Sequence, residues 1–239
     1  MIKFFRKIRL EFMEKKNTVN YFKYAFGEII LVVIGILIAL QINNWNVQRL
    51  EKNRLIKIYE RVIDDMENDI QELSGTLIFL DSIKPVFEKV RHESITPDLL
   101  DQGISRILTT YYMTSLNKTG VNQLKETTNK DSLSIKIIDI YDLMENTLFI
   151  PHEKRAMEEV RTLTTRFRDY PWYAEWMSKT IMKDNSSKEL QNYFLHSMEY
   201  KHSVFYFYQL LYVNYYDGLQ TSKNALIKIK EKIKDKIKT

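Results

Sequence analysis

The stretch Gly27–Asn46, GEIILVVIGILIALQINNWN, decides the reading of this 239-residue chain. An apolar run opens on Glu28 and closes on Gln41, Asn43, Asn44 and Asn46, with Trp45 among them. Ala25–Ile42 is broken only by Glu28 and Gln41. As a helix it spans roughly 27 Å, close to the roughly 30 Å hydrocarbon core of a bilayer. Tyr21, Phe22, Tyr24 and Phe26 flank one end and Trp45 the other. Amphipathic rings prefer interfacial depth, so Tyr24 and Trp45 are read as membrane-interface residues and the asparagines as emergence into water. No small-x-small cleavage site follows, since the exit reads IALQINN, and a retained transmembrane helix is expected rather than a cleaved signal.

Glu28 has two readings. It sits ionised at the cytoplasmic interface near Lys23, or it faces another helix. At about 100° per residue, Glu28, Gly35, Ala39 and Asn46 fall close to one line. Gly35 and Ala39 form a small-xxx-small pair that lets two backbones approach, so this stripe is a candidate packing surface for a partner helix or a second copy.

Charge sets the expected topology. Met1–Tyr24 and Lys223–Thr239 each carry +5, while the whole chain carries +5, so the residues between are acidic. Such a distribution disfavours nucleic acid and suits a membrane neighbour. Lys/Arg counts within 20 residues of the span are six before it and five after, too close to orient it by themselves. Carrying the basic N-tail outward against the membrane potential costs about 2.3 kcal/mol per charge per 100 mV. The N-terminus is therefore expected in the cytoplasm and the C-terminal domain outside, periplasmic in a two-membrane bacterium. Ile2, Phe5, Ile8 and Phe12 recur at helical spacing among basic residues, which predicts a surface helix on the anionic inner leaflet, with a disordered basic stub as the alternative.

The remainder reads as all-α. Glycine and proline are scarce, at six and four, and no glycine occurs between Gly120 and Gly218. After Trp45, Leu55, Tyr59, Val62, Met66, Ile70, Leu73, Leu77 and Leu80 step by threes and fours. That pattern predicts a stalk helix, ended or kinked by Pro85, which packs in a helical bundle or a dimeric coiled coil. Thr96-Pro97-Asp98 predicts a helix start that buries Leu99, Leu100, Ile104, Ile107 and Leu108. Asn117–Gly120 reads as a turn, Asp131 as a cap, Pro151 as a further start, and Ser187 as the cap of a helix running to about Asp217 and Gly218. The Lys-rich C-terminus, with Leu226, Ile229, Ile233 and Ile237, is expected to be an amphipathic helix. It either lies on the outer leaflet or extends into solvent.

GEIILVVIGILIALQINNWN after a short basic tail resembles the signature of an uncharacterised Bacteroidota membrane protein family, the domain-of-unknown-function 6090 family. Asn117–Tyr141, NKTGVNQLKETTNKDSLSIKIIDIY, is similar to its middle region. The resemblance implies a single-pass envelope protein of unknown activity and brings no catalytic residues with it.

Nothing in the sequence commits the chain to a reaction. HEKRAMEE at His152–Glu159 has Ala156 where a zincin motif has its second histidine. His196 and His202 are six apart and point to different sides of a helix. Asp64-Asp65 and Glu158-Glu159 read as solvated faces. Cysteine is absent. No catalytic residue, cofactor or metal is expected. Two aromatic groups remain, around Trp172 and Trp176 and around Tyr206 and Tyr208. They form bundle core or an amphipathic cleft that stacks on a sugar or lipid headgroup. The expected organisation is a cytoplasmic tail (1–24), an inner-membrane span (25–42), an extracytoplasmic helical domain (43–222) and a Lys-rich helix (223–239). The expected role is an envelope interaction or scaffold protein; the alternative is a ligand-sensing bundle that signals through a partner membrane protein.

Overall fold

A computed structural model describes residues 18–109, 114–179 and 186–238. The pattern at Ile2, Phe5, Ile8 and Phe12 lies outside them. Every element among the described residues is helical, with no strand. The first, α1, runs Thr18–Arg91, and contacts divide the chain into Met1–Ile56 and Lys57–Thr239.

In the first unit, the apolar side chains from Ile29 to Ile42 are exposed. This is the one helix among the described residues long and apolar enough to cross a membrane. A soluble helix of this composition would bury such a surface.

In the second unit, α1 buries Tyr59, Val62, Met66, Leu73, Leu77 and Leu80, as the periodicity predicts. Pro85 does not end it. A proline removes one intrahelical bond, and burial of Val86, Phe87 and Val90 carries the helix on to Arg91. The helix expected after Pro97 is a single 3-10 turn, Pro97–Leu99, followed by turns. Gly103 takes φ +86°, which an α-helix cannot contain. Leu99, Leu100, Ile104, Ile107 and Leu108 are buried all the same.

Asn117–Gly120 does not remain a turn, because Thr119 opens α2 (Thr119–Glu126). Asp131 accepts the Ser134 N–H at 2.8 Å and caps α3 (Ser132–Leu143). Pro151 does not begin a separate helix. The chain stays helical through a π-helical segment, Met144–Phe149, into α4 (Ile150–Phe167). A widened turn suits a proline whose ring would otherwise press on the carbonyl four residues back.

The short α5 (Tyr173–Ser178) precedes α6 (Lys188–His196), which Ser187 caps. The long helix expected from there is broken at Ser197. Its backbone is extended, and its hydroxyl accepts the Tyr200 N–H to start α7 (Met198–Tyr208). A second π-helical segment, Gln209–Tyr215, leads into α8 (Tyr216–Ile237). Gly218 does not stop this helix. A Cβ there would meet the side chain of Leu148 inside contact distance, so the glycine serves close packing.

The Lys-rich end adopts neither expected arrangement. Leu226, Ile229 and Ile233 are buried, Lys230 and Lys234 pair with Glu67, and Lys236 pairs with Asp131 at 2.9 Å. Burying three branched side chains outweighs the fraying expected of a solvated extension.

Candidate functional site

Two buried carboxylates organise the middle of the second unit. Asp65 and Asp69, four apart on α1, face the start of α2. Asp65 accepts the Gly120 N–H at 2.7 Å. Asp69 accepts the Asn117 N–H at 2.7 Å, its side-chain amide at 3.0 Å, and the Tyr141 hydroxyl at 2.7 Å. The first N–H groups of a helix lack intrahelical partners, and Asp65 satisfies that of Gly120 from another element, while Asp69 holds the chain just before the helix through Asn117. Asp65 is therefore not part of a solvated face. Burial raises the Asp69 pKa against those hydrogen bonds, and burial also raises that of Tyr141. A Cβ on Gly120 would lie 2.7 Å from both the Val62 nitrogen and its Cγ2, so α2 approaches α1 at van der Waals limits.

Asp131 forms a second junction. Tyr59 donates to it at 2.6 Å and Lys236 pairs with it. Burial works to raise this carboxyl, but the hydrogen bonds from Tyr59, Ser134 and Lys236 prevail and hold it well below the usual range.

The two π-helical segments meet at Tyr215. Its ring stacks on His152 and meets Phe149 edge-on at 6.3 Å. Its hydroxyl shares a 2.9 Å hydrogen bond with Thr114, whose N–H donates to Glu153 at 3.0 Å. His152 Nε2 is buried with no hydrogen-bond partner, and burial, aided by Arg155, pulls the imidazole pKa down to about 4. The group is a neutral packing element at neutral pH.

The sequence-predicted residues fall in separate places. Glu28, Gly35, Ala39, Tyr24 and Trp45 all lie on the first unit's helix. A Cβ on Gly35 would meet nothing within 4 Å, and the Arg49 guanidinium lies 5.8 Å from the Trp45 ring centre. Trp172 and Trp176 are 4% and 2% exposed, packed around Phe167 with Tyr193 and Phe194. The Trp176 indole donates to the Ser105 carbonyl, and Arg106 stacks 4.0 Å from its ring centre. These two tryptophans are core, because each is surrounded by other rings.

Tyr208 belongs to a different set. Tyr208, Tyr212 and Tyr216 face α1 and donate to Glu88, the Leu80 carbonyl and Asp81. Arg91 stacks on Tyr208 at 3.8 Å. No cleft joining Trp172 and Trp176 to Tyr206 and Tyr208 is formed among the described residues. Tyr206 instead points outward, beside exposed Phe205.

Asp69, Tyr141 and Tyr215 carry polar roles that sequence reasoning missed, and His152 a buried stacking role. The available signal was an aspartate on the buried stripe of α1, three residues after Met66 and four before Leu73. Among the described residues, no group of three or more His, Asp or Glu is placed to hold a metal ion. An open concavity of about 430 Å³ lies along α4, lined by Ile150, Glu153, Lys154, Met157, Glu158 and Arg161. No family model, curated protein or solved structure matches the chain. Among the described residues the protein is all-helical, with one helix long and apolar enough to cross a membrane.

Proposed function

We propose that this chain is a single-pass membrane protein whose helical domain, outside the cytoplasmic membrane, serves as an interaction or scaffold module rather than an enzyme. The observation that carries the reading is the exposed apolar run Ile29–Ile42. Lipid supplies the environment that such a surface requires. Trp45 with Arg49 at one end suits the interface, and the basic residues before the span suit a cytoplasmic N-terminus. An envelope location is also what the resemblance of Gly27–Asn46 and Asn117–Tyr141 to the domain-of-unknown-function 6090 family implies, although no family model matches the chain.

The second unit supports an interaction role through what it leaves exposed. Its buried carboxylates are committed to backbone N–H groups and tyrosine hydroxyls. Apolar side chains such as Leu143, Ile150, Met157 and Phe205 face solvent. Faces of this kind mark protein contacts more often than chemistry.

Two experiments test the reading. The chain has no cysteine, so Met177→Cys supplies one exposed thiol. An impermeant maleimide should label it in intact spheroplasts; labelling only after lysis contradicts the topology. Crosslinking in cells should recover the chain in complexes larger than itself, and recovery as a monomer alone contradicts the interaction role.

A further inference from the structure

Trp45, Arg49 and Lys52 share one face of α1 just beyond the apolar run. At about 100° per residue the three fall within an arc of about 60°. All three are exposed, Trp45 at 61%. Helical side chains lean toward the N-terminus, and the Arg49 guanidinium lies 5.8 Å from the Trp45 ring centre.

Neither cation on this face has a carboxylate. Among the described residues, Arg49 and Lys52 form no ion pair and no side-chain hydrogen bond. In the second unit, by contrast, Lys118, Lys125, Arg166 and Lys179 each reach an acid. Glu51 is the one acid between Ile29 and Tyr59, and it sits about 100–160° around the helix from the three.

Position along the helix decides what lies opposite this face. Trp45 is three residues past Ile42, about 5 Å along the axis, and Lys52 is ten past, about 15 Å. The headgroup layer of a bilayer is about 5–8 Å deep on each side. Arg49, drawn against the indole, stands at phosphate depth. The Lys52 stem leans back the same way and brings its ammonium within a Debye length, roughly 8 Å, of that layer. The proposed topology sharpens the requirement. It places five Lys/Arg within 20 residues of the span on the outer side, where basic residues are ordinarily sparse. An anion at the membrane surface offsets that placement for the two on this face.

We propose that Trp45, Arg49 and Lys52 bind the phosphate of an anionic phospholipid in the outer leaflet of the cytoplasmic membrane. The planar guanidinium takes two phosphate oxygens side by side, the ammonium adds a point charge, and the indole fixes the depth. A zwitterionic lipid fits worse, because its own ammonium meets two cations with no acid beside them. The inference rests on the anchored reading above and names the lipid that the anchor selects.

The test compares equal charge losses on opposite faces. Arg54 lies about 180° around the helix from Trp45, so Arg54→Gln removes the same charge from the wrong side. Full-length wild type, Arg49→Gln, Lys52→Gln and Arg54→Gln chains are exchanged in nonionic detergent with equimolar phosphatidylglycerol and phosphatidylcholine of matched acyl chains. Lipid retained after size-exclusion chromatography is quantified by mass spectrometry. Wild type should retain phosphatidylglycerol in excess. Arg49→Gln and Lys52→Gln should each lower that excess about fivefold, and Arg54→Gln by less than about twofold. The basic N-terminal tail is common to all four chains, so its contribution cancels in the comparison. No excess in wild type, or three substitutions that act alike, overturns the proposal. Where that happens in a chain that still resists alkaline carbonate, only the lipid site falls; release by carbonate removes the anchored reading itself.

Discussion

The imidazole of His152 lies flat on the ring of Tyr215, with centroids 3.8 Å apart and planes inclined by 4°. The stack joins α4, just after one π-helical segment, to the end of the other, where Tyr215 leads into the helix of Gly218. π turns recur at functional sites. Here they let one helix present Tyr208, Tyr212 and Tyr216 to α1 and Tyr215 to His152.

Burial and Arg155 disfavour protonating His152 in this arrangement. Its pKa falls from 6.5 in the unfolded chain to about 4 in the folded one, through burial first and Arg155 second. Between those values the unfolded chain holds the extra proton. The stabilisation is complete above pH 6.5, is lost as pH falls toward 4, and loses nothing more below that. The difference corresponds to about 3 kcal/mol. Urea unfolding of wild type and His152→Phe at pH 7 and pH 4.5 should show a larger acid loss in wild type. Equal losses contradict a buried neutral histidine.

Asp69 holds three donors at once. Asp69→Ala leaves the Asn117 N–H and the Tyr141 hydroxyl unpaired in the interior, at a cost of about 3 kcal/mol or more. Tyr141→Phe removes one bond and should cost about 1 kcal/mol. Chemical denaturation of the two variants should rank them in that order.

Two glycines should respond oppositely to alanine. Gly120→Ala places a methyl 2.7 Å from Val62 backbone and side chain, and should destabilise by about 1–3 kcal/mol. Gly75 lies inside α1 with nothing within 4 Å of a new Cβ, so Gly75→Ala should stabilise by about 0.5–1 kcal/mol. Thermal melts of both variants check the signs.

The C-terminal helix should depend on its apolar side more than on its charges. Ile233→Ala empties a buried site and should cost about 2–4 kcal/mol. Lys230→Gln weakens a 3.4 Å pair with exposed Glu67 and should cost under about 1 kcal/mol. Comparable losses would mean that ion pairs, not packing, hold the helix.

Helical periodicity made the buried face of α1 legible, because Tyr59, Val62, Met66, Leu73, Leu77 and Leu80 are apolar at helical spacing. It failed at one turn. Asp69 and Ile70 compete for the same inward position, and the aspartate takes it because Asn117 and Tyr141 arrive from 48 and 72 residues away. No local pattern carries that information. Proline and glycine misled for a related reason. Pro85, Pro151 and Gly218 were legible as breaks, but packing of Phe87, a widened turn and the approach of Leu148 absorbed them. Ser197 was the true break, held by a single hydroxyl cap within an aromatic-rich run. The candidate site was less legible than the fold. Trp172 and Tyr206 belong to one composition, yet one is enclosed by rings and the other faces solvent.

Membrane anchoring through Ile29–Ile42 is the claim that every functional statement requires. Its most direct measurement is alkaline carbonate extraction of membranes carrying the full-length chain, followed by sedimentation. The expected result is intact protein in the pellet, released only by detergent; intact protein in the supernatant would contradict it.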